Sequence, residues 1–291
     1  MMCGYLGPQG SYSYLALREA FPEMKPKAYD TFSEIIEDVD HGALEWGILP
    51  VENSTEGAVT GVMDSLLTLE DASIQAEVIY NVAHHLFSID GREEDVDTAY
   101  SHPQAIEQCR HFFRKHYPRI QLRPCESTSA ACELAKIKGS GTAAIASQWA
   151  GNHHGLKSIR GNIQDNRFNQ TRFVLLGKGQ SAITGKDKTA VAFSFHRDTA
   201  GSLYQILKIF ADYDINLTRI ESRPAKMELG QYLFFIDFEG HQKEPNSFEV
   251  LEKLRLLTRR LYIFGSFPRA KKIMGTDNDQ TAEGKLTRKD G

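Results

Sequence analysis

Nowhere in the 291 residues is there an unbroken run of about 18 apolar side chains, the length a membrane-spanning helix needs. A helical membrane protein is thereby excluded, and no membrane partner is expected. Cysteine is scarce: Cys3, Cys109, Cys125 and Cys132 form no C-x-x-C pair. A chain of this size does not need disulfide staples, so a reducing cytoplasm fits best. From Met1 the chain passes directly into the strand-like CGYLG, without the basic stretch, apolar segment and small-residue cleavage site of an export signal. Lysine and arginine make no long run, and the net charge of −4 is ordinary, so nucleic acid is not an expected partner. G-x-G-x-x-G and phosphate-loop patterns are missing, and no Ser–His–Asp order stands out. His84, His85, His102, His153 and His154 lack the spacing of a zinc site. No metal and no cofactor are expected.

What is present divides the chain in two, and its length favours two domains over one. Through about residue 177, short apolar segments alternate with helical patterns, which argues for an α/β unit with mostly parallel sheets. Strands are expected at Cys3–Leu6, Trp46–Val51, Ile74–Phe87, Thr98–Ser101, Ala143–Ala146 and Phe173–Gly177. After Pro103, whose missing N–H suits a first helical turn, Ala105, Cys109, Phe112 and Phe113 recur at helical spacing and predict one apolar-faced helix. GKGQSAITGKDK, from Gly177 to Lys188, is small and polar and reads as a connection. Beyond it the order is strand Thr189–His196, helix Gly201–Tyr213, strands Leu217–Pro224 and Tyr232–Glu239, helix Phe248–Leu257 and strand Tyr262–Pro268. That is βαββαβ, with Leu203, Ile206, Leu207 and Phe210 forming the apolar face of its first helix. The polar, aperiodic terminal residues predict a flexible tail. The expected division is 1–178, a linker at 179–188, 189–272, and a tail at 273–291.

Four strand-to-helix turns are rich in small hydroxyl and amide residues: Gly7-Pro8-Gln9-Gly10-Ser11, Pro50-Val51-Glu52-Asn53-Ser54, Ser101-His102-Pro103-Gln104 and Ser127-Thr128-Ser129. Free N–H groups and the helix dipole make such turns anion sites, and open α/β sheets gather them at one edge. Helix capping explains any one of them taken alone. The cluster Asn169-Gln170-Thr171-Arg172-Phe173 adds a permanent cation suited to a carboxylate. A crevice for a small anion is the expectation, with Ser11, Ser54, Gln104, Asn169, Arg172 and Phe173 as candidate substrate-binding positions.

GPQGSYSYLA, LPVENSTEGAV, SHPQAIEQC, STSAA and NQTRF stand in the order and spacing of the prephenate dehydratase family, which the chain resembles over about residues 3 to 270. GSLYQIL and INLTRIESRP resemble the family's ACT domain, a small regulatory module. The resemblance implies a two-lobed catalytic domain like type 2 periplasmic binding proteins, a cleft active site, a ferredoxin-like ACT domain, and a homodimer or homotetramer. It implies conversion of prephenate to phenylpyruvate, water and carbon dioxide, driven by aromatisation and needing no redox cofactor. It also assigns Thr171 as the central catalytic hydroxyl, with Glu52, Asn53, Ser101 and Gln108 at the site. Asn53 and Gln108 would orient substrate, Ser101 would donate to it, and Arg172 would pair with a carboxylate. Ser11 and Ser13 stand where many relatives have threonine, and Gly201-Ser202-Leu203-Tyr204 replaces a GALV-like sequence.

The same resemblance implies feedback control by L-phenylalanine bound where two ACT domains meet. Gly201, Ser202, Leu203, Asn216, Leu217, Glu221, Ser222, Arg223 and Pro224 are the expected effector residues. Two rivals remain from the sequence: arogenate dehydratase, which shares the motifs, and a non-catalytic solute-binding or sensor protein, which shares the two-lobed architecture. A fused chorismate mutase is not expected, since the motifs begin within the first dozen residues.

Overall fold

In chain order the elements of the first part are β1 (Met2–Leu6), α1 (Tyr12–Ala20), β2 (Lys25–Tyr29), α2 (Phe32–Asp40), β3 (Trp46–Asn53), β4 (Gly57–Ala58), α3 (Thr60–Leu66) and β5 (Ala72–Asn81). The chain then crosses to a second lobe: β6 (His85–Ser88), β7 (Thr98–Ser101), α4 (Pro103–Gln108), α5 (Arg110–His116), β8 (Gln121–Pro124), α6 (Thr128–Lys138), β9 (Thr142–Ala146), α7 (Gln148–His153) and β10 (Lys157–Arg160). It returns as β11 (Gln170–Lys178), then builds β12 (Asp187–Ser194), α8 (Ser202–Asp212), β13 (Leu217–Pro224), β14 (Tyr232–Glu239), α9 (Pro245–Leu257), β15 (Arg260–Pro268) and β16 (Ile273–Met274). This computed structural model describes residues 1–197, 199–225, 232–270 and 273–275.

The first lobe holds the sheet β16-β5-β11-β3-β1-β2, with β4 paired to β3, and the second holds β10-β6-β9-β7-β8. Both are mixed rather than mostly parallel. β11 lies antiparallel between β3 and β5, and β6 antiparallel to β9, because these strands enter or leave a lobe at its crossing segments. Those segments hold each other: Val82 N donates to Asn169 O (2.8 Å) and Ile163 N to His84 O (2.8 Å). The expected strand Ile74–Phe87 is therefore two strands, broken by the first crossing. The expected long helix after Pro103 is also two, interrupted at Cys109 (φ −115°, ψ 3°), and the Asp165 carboxylate accepts from His111 N and Phe112 N at the start of α5.

β12 to β15 form an antiparallel sheet in the order β13-β14-β12-β15, the expected βαββαβ unit. Alternation divides its side chains. Val191, Phe193, Phe234, Ile236 and Phe238 pack under α8 and α9, while Ala190, Ala192, Phe235, Phe264 and Phe267 join Leu49, Ile74 and Val174 of the first lobe in one core. At Gly265 (φ +135°) a Cβ would lie 2.7 Å from Ile74 O, so only glycine lets β15 approach β5 this closely. Ile273 and Met274 then pair with Ile79 and Tyr80 at the free edge of β5, where a tail was expected; residues 276–291 of that expected tail lie outside the described residues.

The four cysteines are free. Burial pushes the Cys3 and Cys132 thiols up to about 12, which makes them inert packing groups. No helix of the described residues is long and apolar enough to cross a membrane.

Candidate active site

β3 and β11 are paired in register, with Asn53 opposite Thr171. Successive strand residues face opposite sides, so Asn53, Thr171 and Phe173 meet on the side facing the cleft. Two cavities of about 460 and 370 Å³ share Tyr12, Asn53, Gln104 and Thr171 in their walls and together fill the cleft.

The hydrogen bonds there have a fixed direction. Asn53 Oδ1 accepts from the backbone N–H of Thr55 (2.9 Å) and Glu56 (3.2 Å), which leaves Asn53 Nδ2 to donate. It donates to Thr171 Oγ1 (2.9 Å) and Asn169 Oδ1 (3.0 Å). Asn169 Nδ2 donates onward to Gln108 Oε1 (2.9 Å), and Gln108 Nε2 reaches across the cleft to Glu56 Oε1 (2.9 Å). With its oxygen accepting from Asn53, the Thr171 hydroxyl can turn its proton toward the cavity.

The 370 Å³ cavity lies where the starts of three helices converge: Gly7, Pro8 and Ser11 before α1, His102 and Gln104 at α4, and Ser127 and Thr128 at α6. Ser11 and Ser127 accept from Tyr14 N and Ala130 N as caps, so the capping and anion-binding readings of these turns both apply. Converging N-termini supply a positive potential without a formal cation.

Two family models cover the chain, one described as prephenate dehydratase (residues 3–181) and one as the ACT domain (residues 191–256). The chain belongs to the prephenate dehydratase family. A prephenate dehydratase of Lactococcus lactis subsp. cremoris is 36% identical, covering 92% of this chain and 97% of the relative. A dehydratase of Arthrobacter aurescens, solved in complex with L-Phe, superposes with TM-score 0.84 at 30% identity, covering 95% of this chain and 92% of that one. A solved protein described as a quorum-quenching acylase, GqqA, superposes at 0.82 with 27% identity, covering 93% and 99%.

Of the expected catalytic and substrate-binding residues, the structure gathers Thr171, Asn53, Gln108, Asn169, Gln104, Ser11 and Phe173 around the cleft. It sends others elsewhere. Glu52 and Arg172 are the strand neighbours of Asn53 and Thr171, so they point away from the cleft, toward the ACT sheet. There Arg172 Nε meets Glu77 (2.8 Å), its Nη1 meets Asp237 and lies 3.5 Å from Glu52, Arg219 Nε lies 3.9 Å from Glu52, and Lys188 Nζ meets Glu77 (2.8 Å). Burial opposes the charge on Glu77, yet Arg172 and Lys188 hold its carboxyl below the usual range. The expectations of Glu52 at the catalytic site and Arg172 as a substrate partner are therefore corrected: both are members of an interdomain ion cluster. Ser101 is fully buried and donates to Ile145 O (2.7 Å), tying β7 to β9 instead of meeting substrate. Ser54 bridges Phe168 O and Gln170 N and lines neither cavity.

Tyr12, Ser13, Glu56 and His84 line the cleft without having been expected there. Tyr12 and Ser13 adjoin Ser11, and Glu56 lies within ENSTEG, so motif proximity was a usable signal. His84 had none. Burial pushes His84 down to about 4 from its ordinary 6.5. The unfolded chain takes up that proton near pH 6.5 but the folded one only near 4, so this contribution is whole above the window and lost as pH falls through it, by roughly 3 kcal/mol at most. In urea titrations, His84→Gln is expected to lose less stability than wild type between about pH 7 and 4.5; equal losses would refute the shift.

Of the expected effector residues, Gly201 opens α8 with φ +90° and Ser202 Oγ accepts from Thr199 N (3.1 Å). Asn216 O accepts from Glu239 N, and Leu203 and Leu217 pack into the ACT core. β13 is an edge strand carrying Glu221, Ser222, Arg223 and Pro224. Arg223 turns to the catalytic unit, donating to Asp64 (2.7 and 3.1 Å) and Thr60 O (2.8 Å) on α3.

Proposed function

We propose that this chain converts prephenate to phenylpyruvate, water and carbon dioxide and that L-phenylalanine inhibits it. The catalytic unit is read as residues 1–178 and the regulatory one as 189–272, joined at 179–188. Prephenate carries two carboxylates and a hydroxyl that must leave. The observation that carries the reading is Thr171, whose oxygen is held by Asn53 so that its O–H can donate to the departing hydroxyl. As that C–O bond breaks, the bond to the ring carboxylate supplies its electron pair to the ring, which becomes aromatic as carbon dioxide departs. A free threonine is a weak acid, so its part is hydrogen-bond stabilisation of charge that grows in the transition state, and the departing hydroxide becomes water with a proton drawn from solvent in the open cleft.

The cleft's helix starts suit the carboxylates. Neutral donors bind an anion without the fixed ion pair that would over-stabilise a carboxylate about to be lost. Gln108 and Gln104 orient the substrate from the second lobe. Because one architecture serves several activities, the assay decides. Phenylpyruvate should form from prephenate with no added metal or cofactor, and kcat/KM for prephenate should exceed that for arogenate; a reversed preference, or no product, would refute the reading.

Inhibition by L-phenylalanine is supported by the ACT unit and by the L-Phe complex of the Arthrobacter aurescens relative. The exposed edge of β13 favours a site shared between copies, hence a homodimer or homotetramer. The effector must bind a less active arrangement more tightly, with a coupling of roughly 1–3 kcal/mol. Saturating L-phenylalanine should both bind, by calorimetry, and slow product formation; neither occurring would reject the regulatory assignment.

A further inference from the structure

We propose that His84 is a positioning residue for Gln108, its Nε2–H fixing the Gln108 carbonyl so that the amide nitrogen faces the cleft. The inference rests on the reading that Gln108 contacts substrate. His84 stands on the first segment crossing between the lobes and is 2% exposed. Its ring Nε2 lies 2.8 Å from Gln108 Oε1.

Direction follows from the amide chain. Two backbone N–H groups orient Asn53, Asn53 orients Asn169, and Asn169 Nδ2 donates to Gln108 Oε1 (2.9 Å). Gln108 Oε1 is therefore an acceptor, and the group facing it on His84 must be N–H. The other ring nitrogen lies 3.4 Å from the Tyr12 hydroxyl, which donates to Ala83 O (2.7 Å). Both crossing segments clamp the histidine backbone: His84 N donates to Gln164 Oε1 (3.0 Å), and His84 O accepts from Ile163 N (2.8 Å). Burial keeps the imidazole neutral, since it would have to fall to about pH 4 to gain a second proton.

With its oxygen held from two sides, the Gln108 amide cannot flip. Its nitrogen is committed to the cleft, where it now donates to Glu56 Oε1. Remove the His84 donor and one of two anchors goes, so the amide can rotate away from the substrate.

The test compares kcat and KM for prephenate in His84→Gln, His84→Asn, Gln108→Ala and the double variant His84→Asn/Gln108→Ala, each checked for folding by thermal melting. A glutamine amide nitrogen reaches about as far as the imidazole Nε2, whereas asparagine stops short. His84→Asn is expected to lower kcat about 10- to 100-fold with a smaller change in KM, and His84→Gln to recover most of the loss. The double variant should be no slower than Gln108→Ala alone. Equal kcat in the two His84 variants, or losses that multiply in the double variant while Gln108→Ala is itself impaired, would overturn the positioning role. Full activity in Gln108→Ala would instead strike the reading of Gln108 as a substrate contact, and the positioning role with it.

Discussion

Thr171→Ala is expected to lower kcat by roughly two to three orders of magnitude while the protein stays folded. The side chain is small and buried at 8% exposure, and its hydrogen bond is taken from Asn53, which keeps Asn169 as a second acceptor. Little of the fold therefore depends on it. On the proposed reading, what is lost is a donor aimed at the leaving hydroxyl, an interaction stronger in the transition state than in the ground state. Thr171→Ser keeps the hydroxyl and should keep much more activity. Steady-state assays with melting curves check both, and a folded alanine variant with near wild-type kcat would remove Thr171 from the mechanism.

Arg172→Met is expected to act on the opposite quantity, costing about 3–5 kcal/mol of stability by stranding the buried Asp237 carboxylate. Asp237 would lose the guanidinium it meets, and Glu77 would keep Lys188 as its partner. At a temperature where the variant remains folded, kcat/KM should fall far less than in Thr171→Ala. Urea unfolding measures the first effect and kinetics the second. A stable Arg172→Met enzyme with a large rise in KM would return Arg172 to the substrate.

The misplacement of Arg172 shows where the sequence was legible and where it was not. Element types emerged from periodicity, and the strands Leu217–Pro224 and Tyr232–Glu239 were bounded as found. β2, β8 and β10 went unread because all three are edge strands, short and rich in Lys, Arg, Pro or Gln, with little burial to leave an apolar signature. The Asn53–Thr171 pair was legible through motif resemblance, yet the same motifs offered Glu52 and Arg172. Strand alternation separates these pairs, and it becomes decisive only once β3 and β11 are known to be neighbours. His84 was illegible for a different reason. Its role depends on two crossing segments, distant in sequence, that meet only in the fold.

The ACT unit leaves the first lobe through the connection after β11 and comes back to it as β16 on the edge of β5. Topologically it is a guest held by both ends. A module tethered once can swing out or exchange with a neighbouring copy at the cost of one hinge, but one tethered twice must also peel its return strand from the host sheet. Its accessible motions are thereby restricted to short slides over the shared core, and its docking remains effectively unimolecular at any dilution. Exchange of whole ACT units between copies is correspondingly disfavoured, and assembly through an exposed strand edge leaves both tethers intact.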